Sequence, residues 1–264
     1  MRLTHIAAAL IVLAPQAVAG AYTLKATSDG ATLHWRTPAI ELSIHESTVA
    51  RFGALEAREA LEVAIAAWSR AEVGPRVEAG PMTTAPAGFV RGSAVNGVYS
   101  VSPWPYEAKL LAVTVSSYDT RTGELLDADV LLNGDEAFIA PAGDGHYDLA
   151  SILTHELGHV LGLGEAEHAP GSAMYPRIGK ADLSARTPSR DDFEGLAAIY
   201  GEGGAAQLAS ISPPRFHGFL ATSSFLMGFL VLLVGHARSP EARESTRAMR
   251  WSPRKQWDEK RLHS

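Results

Sequence analysis

Cysteine is absent from the 264 residues. No disulfide can brace the fold, and no thiolate can ligate a metal or act as a nucleophile. Any metal site must be built from His, Asp or Glu. A basic excess is missing too. Lys and Arg number 23 against 29 Asp and Glu, a net charge of −6 that argues against a nucleic-acid surface. No internal repeat is present, which excludes solenoids and propellers. What remains is an ordinary globular composition, 46% hydrophobic and 20% charged, in a chain long enough for one sizeable domain with terminal extensions.

Long apolar runs are scarce, and the two that exist lie at the ends. Met1 to His5 is short and basic, Ile6 to Ala14 is apolar, and Ala17-Val18-Ala19 puts small residues where a signal peptidase reads them. This predicts export with cleavage after Ala19. The second run, Gly218 to Gly235, carries no charge. At about 1.5 Å per residue it just crosses a hydrocarbon core. Beyond it Arg238, Arg243, Arg247, Arg250, Arg254, Lys255, Lys260 and Arg261 face four acids, an excess that suits the cytoplasmic side. The expected organisation is a signal peptide (1–19), a folded domain outside the cytoplasm (20–202), a linker (203–217), a transmembrane helix (218–235) and a basic cytoplasmic tail (236–264). Release by C-terminal processing is the alternative.

Between the ends the patterning mixes helix and strand. Ala39 to His45 alternates apolar and polar residues, as a strand does. Ala54 to Glu72 predicts a long helix, with Leu55, Ala60, Val63, Ala64, Ala67 and Trp68 as its apolar stripe and Gly74-Pro75 as its stop. Glu78 to Pro105 is rich in Gly, Pro, Ser and Thr and predicts loops with short strands. Leu110–Tyr118 and Asp127–Asn133 flank the turn Thr120-Arg121-Thr122-Gly123 and predict a hairpin. Asp148 to Leu163 predicts a two-faced helix. Leu149, Leu153, Leu157 and Val160 form its core stripe, while Ile152, His155, Glu156 and His159 point elsewhere. A last helix is expected from Ser189 to Tyr200, with Ser189 and Asp192 as a capping pair.

Chemistry concentrates in His155-Glu156-Leu157-Gly158-His159. Residues four apart on a helix are neighbours, so both imidazoles reach one ion. Glu156, next to the first of them, is free to act as general base on a zinc-bound water. Zinc lowers that water's pKa and polarises a scissile carbonyl, and Glu156 passes the proton to the leaving amine.

His155 to Gly164 (His-Glu-Leu-Gly-His-Val-Leu-Gly-Leu-Gly) resembles the zinc helix of the metzincins, most closely the matrixins. Ser172-Ala173-Met174-Tyr175-Pro176 resembles their Met-turn. Leu111-Ala112-Val113-Thr114 is similar to the sheet-edge strand that binds peptide substrate, and Asp191 to Gly201 to the family's final helix. The resemblance spans about residues 30–202. It implies an α+β fold, with a twisted mixed sheet, two long helices behind it and an active-site cleft. It also implies a zinc metalloendopeptidase acting on protein or peptide. Met174 would pack beneath the metal, and Tyr175 and Pro176, with Arg177 and Ile178, would shape the substrate pocket.

One position departs from the family. The third zinc histidine is expected three residues after Gly162, where this chain has Glu165. Two histidines and a glutamate form an ordinary zinc site. His168, three residues on, is the alternative ligand if the loop bulges. Calcium is a further candidate, at Asp144 and Asp148 or at Asp119, Asp127 and Asp129, although turns and a helix cap explain these acids equally well. The function of another class that this departure keeps open is a non-catalytic surface or binding domain with an altered zinc site.

Overall fold

Ala39–Ile44 forms the first strand, β1. The computed structural model describes residues 20–89, 95–136, 138–139, 143, 145–202 and 228–229. After β1 comes a helix the periodicity does not announce, α1 (Glu46–Phe52), whose first turn is capped by the His45 side chain accepting from Ser47 N–H. Gly53 ends it at φ +90° and starts α2 (Ala54–Trp68). The buried stripe of α2 is Ala57, Ala60, Leu61, Ala64, Ala67 and Trp68. Leu55 and Val63, expected inside, are 64% and 39% exposed. The small alanines face inward because they let α2 lie close on its neighbour, so residue size rather than hydrophobicity sets this helix's rotation.

Arg76–Ala79 (β2), Asn96–Val101 (β3), Ala112–Tyr118 (β4) and Leu125–Asn133 (β5) complete the main sheet. Its order is β2-β1-β3-β5-β4, with a sixth strand of two residues beyond β4. β1 runs parallel to β2 and β3, β3 runs parallel to β5, and β4 alone is antiparallel. The expected hairpin is present as β4–β5, closed where Asp119 Oδ1 accepts from Arg121 N–H and Thr122 N–H. Phe138–Ile139 (β6) and Tyr147–Asp148 (β7) form a small parallel pair. Gly228–Phe229 (β8) lies beside Ser117 and Tyr118 of β4.

The main core lies between the sheet and two helices, α2 and α3 (Leu149–Val160). It includes Leu42, Leu61, Val98, Val130, Leu132, Leu153 and Leu157. A smaller core of Tyr99, Val101, Trp104 and Leu131 covers the other sheet face, with Val113 and Val115 packed on it. The strand's two-residue period therefore turns Thr114, between those valines, toward α3. Every residue of α3 is buried. The expected two-faced helix is thus interior on both faces, and its polar face lines the inside of the molecule. The last helix, α4 (Arg190–Tyr200), carries the expected reciprocal cap between Ser189 and Asp192.

The architecture is the α+β mixed sheet with helices that the resemblance implies. Among the described residues no helix is long and apolar enough to cross a membrane. The signal peptide expected at 1–19 lies outside the described residues. So does the transmembrane helix expected at 218–235, apart from Gly228–Phe229.

Candidate metal centre

Asp148 starts α3 by accepting from Ser151 N–H at 2.7 Å. Three long-range bonds hold the helix's carbonyls. Trp68 Nε1–H donates to Thr154 O (2.7 Å), Trp35 Nε1–H to Val160 O (2.7 Å) and Tyr200 O–H to Leu161 O (2.9 Å). Gly162 then turns the chain at φ +101° with Leu33 O against it, a conformation and a closeness that a side chain would not tolerate. The turn carries Glu165 back over the helix.

His155, Glu156 and His159 are all buried. His155 Nδ1–H donates to Ala173 O at 2.7 Å, and His159 Nδ1–H donates to Leu163 O at 2.9 Å. Both rings are thereby fixed with Nε2 free of the backbone, as a ligating pair requires. Glu165 meets them there. Its Oε1 lies 3.3 Å from His159 Nε2 and its Oε2 3.6 Å from His155 Nε2. The three candidate ligand atoms lie within 4.8 Å of one another, and no other such group of three occurs among the described residues. Glu165 Oε2 is buried without a hydrogen-bond partner. His168 is exposed and stands outside the group.

The three groups perturb one another. Burial alone would lower the His155 pKa, but the Glu165 and Glu156 carboxylates outweigh it and lift the imidazole to about 8. Burial and the nearby Lys25 ammonium pull His159 down. Burial raises Glu165, yet the two imidazoles close to its carboxylate win and hold it far below the usual carboxylate range. Lys25 lies on an N-terminal arm laid along the ligand loop. Lys25 N–H donates to Gly162 O, Gly164 N–H to Thr23 O, and Thr23 O–H to Glu165 O at 2.6 Å. Burial lowers the Lys25 pKa to about 8 against the pull of Glu156 and Glu165.

Met174 is buried directly under the helix. A methyl group on Gly158 would collide with Met174 Sδ and lie 2.8 Å from Trp68, so the glycine between Glu156 and His159 makes room for the thioether. Asp192 braces the same turn. One of its oxygens accepts from Ser172 O–H and the other from Ala173 N–H (2.9 Å), so the cap of α4 also anchors the loop under His155. Tyr175 is half-buried and Pro176 exposed, and the Tyr175 hydroxyl accepts from Arg177 at 3.3 Å.

Of the calcium candidates, Asp148 is committed to its cap and to Arg186, and Asp119 to its turn. Asp129 accepts from Gly88 N–H and Gly97 N–H, and Asp127 is buried with Oδ1 unpartnered. Asp144 lies outside the described residues. Of the isolated histidines, His34 is buried with Nδ1–H on Thr32 O, and His45 caps α1.

Sequence reasoning missed three contributors: Lys25, the second role of Asp192, and Thr114. The Thr114 hydroxyl donates to Glu156 Oε2 at 2.5 Å. The alternation Ala112, Thr114, Ser116 against Val113, Val115 signals a polar stripe on the inner face of β4, but it does not say what that stripe meets.

A helix with two fixed imidazoles and a buried methionine loop beneath it resembles the metzincin arrangement, with a carboxylate where that arrangement has its third imidazole. Residues 104–201 match the family model described as Matrixin, and over that span the chain is matrixin-like. It is 31% identical to human neutrophil collagenase over 81 residues, 31% of this chain and 17% of that protein. To metalloendoproteinase 1-MMP of Arabidopsis thaliana it is 34% identical over 100 residues, 33% of this chain and 25% of that protein. To human matrilysin it is 43% identical over 74 residues, 23% and 27% of the two lengths. The chain thus spans roughly a quarter or less of the length of these relatives.

Proposed function

We propose that this chain is an exported, membrane-tethered zinc metalloendopeptidase, with His155, His159 and Glu165 holding the metal and Glu156 as general base. The observation that carries the reading is the convergence of two Nε2 atoms and a carboxylate within 4.8 Å, each imidazole pinned through Nδ1 to a carbonyl. The donor set suits zinc, with two neutral nitrogens and one carboxylate. The buried, unpartnered Glu165 Oε2 is an atom that a cation would satisfy. When bound, zinc supplies a Lewis acid that acidifies water and polarises a carbonyl.

The protein's own groups do the rest. Glu156 is buried beside both imidazoles, where it takes a proton from the attacking water and returns it to the departing amine. Leu111 to Thr114 offers backbone groups to an extended peptide, as a sheet edge does. Tyr175 and Pro176 shape the pocket beyond the scissile bond. The names collagenase, matrilysin and metalloendoproteinase among the relatives support a protein substrate.

Glu165 in place of a histidine favours one other reading, a non-catalytic domain that keeps the metal. A quenched-peptide or casein assay separates the two. The peptidase reading expects cleavage that a chelator abolishes and zinc restores. Glu156→Ala should retain one zinc per chain and lose on the order of a thousandfold in kcat. Bound zinc without chelator-sensitive cleavage favours the binding domain.

A further inference from the structure

Glu156 is held by more than its own helix. Thr114 sits in β4, between Val113 and Val115 on the opposite sheet face, with the register Thr114–Val130 fixing which side it shows. Its hydroxyl lies 2.5 Å from Glu156 Oε2 and 3.3 Å from Glu156 O. A hydroxyl has one proton to give. The nearer, charged acceptor takes it, and 2.5 Å is the length of a charge-assisted O–H···O bond. Threonine's branched Cβ restricts χ1, so the donor is set by the strand. A one-residue slip of β4 would put a valine in this place.

We propose that Thr114 is a positioning residue for the general base, an inference that rests on the peptidase reading above. A glutamate has three side-chain torsions, and a base must present one oxygen to water within hydrogen-bond reach. The bond to Thr114 fixes Oε2 and with it the plane of the carboxylate. Oε1 is left to receive the proton. The contact also joins the two elements that a peptide substrate must engage together, the edge strand and the zinc helix. Chain alignment and base alignment are therefore set by one strand.

The test uses the full chain with zinc, a quenched peptide, and the variants Thr114→Val and Thr114→Ser. Valine keeps the shape and removes the donor; serine keeps the donor. The expected result is a kcat about 10- to 100-fold lower for Thr114→Val, KM within about threefold, unchanged zinc content, and recovery of most of the rate in Thr114→Ser. A valine variant with wild-type kcat overturns the proposal, as does a serine variant as slow as valine, or a loss carried by KM. A second measurement reads the bond without activity. Thr114→Val should lower the melting temperature in the wild-type background and have a smaller effect in a Glu156→Ala background, where the carboxylate acceptor is gone and only the longer contact to the backbone carbonyl remains. Equal shifts in both backgrounds mean there is no such bond and overturn the proposal. A wild type without chelator-sensitive cleavage overturns the peptidase reading and the positioning role together. An active wild type indifferent to Thr114→Val overturns only the latter.

Discussion

Glu165 stands where the family resemblance expects an imidazole, and the change alters charge as well as donor type. With three imidazoles the ligand set is neutral; here it carries one negative charge. The carboxylate already faces both histidines, 3.3 and 3.6 Å from their Nε2 atoms, which is why it is held far below the usual carboxylate range. The proposed ligand set makes a direct prediction. Glu165→Ala should weaken zinc binding by more than about 100-fold, since losing even an outer partner of a ligand costs 10- to 100-fold. His168→Ala should change it by less than about threefold, because that ring is exposed and outside the cluster. Competition with a chromogenic chelator measures both. Loss of zinc from the His168 variant alone would move the third ligand six residues beyond Gly162.

At the scale of elements, the segment that carries Tyr175 and Pro176 returns to the start of α3 and is fixed there by charge. Arg186, in a short 3-10 turn at Ser184–Arg186, donates two hydrogen bonds to Asp148, at 2.5 and 2.7 Å. Asp148 is fully buried, so removing its partner leaves a buried charge uncompensated. Arg186→Met should destabilise the protein by about 1.5–3 kcal/mol at pH 7 in urea unfolding, the range for a hydrogen bond to a charged group. Burial raises the Asp148 pKa, but the bonds from Arg186 and Ser151 outweigh it and leave the carboxyl below its ordinary 3.8. A depressed carboxylate stabilises above its unfolded pKa and loses that contribution as pH falls through the folded value. The gap between wild type and Arg186→Met should therefore narrow below pH 3.8; an equal gap at pH 7 and pH 3 would contradict the assignment. How far these elements can be read from sequence follows the range of the forces. The hairpin, α3 and the Ser189–Asp192 cap rest on neighbours in the chain, and all three were legible. α1 was not, because seven residues ending at Gly53 give too little periodicity. β3 was hidden in a Gly- and Ser-rich stretch because its partners, β1 and β5, lie far away in sequence. In the site, His155, Glu156 and His159 were legible as a spacing, whereas Lys25 and Thr114 reach Glu156 only through tertiary pairing.

For the whole molecule, the question is what the two apolar stretches would do for the proposed peptidase domain. On the tethered reading proposed above, the charge pattern predicts an orientation. Eight Lys and Arg follow Gly235 against four acids, and a basic flank is retained on the cytoplasmic side. A cleaved leader ahead of Gly20 would put residues 20–202 on the opposite side. If the proposed tether is retained, it would confine the proposed peptidase to substrates near the membrane surface and raise their effective concentration there. In cells producing the full chain, the mature protein should begin within a residue or two of Gly20 by N-terminal sequencing. It should sediment with membranes and stay there through a carbonate wash. Protease added outside should remove the domain and spare the basic tail. A full-length chain released by carbonate would sink the anchor. A soluble chain lacking the basic tail would show instead that the domain is cut free. A domain protected from external protease would reverse the orientation and contradict export.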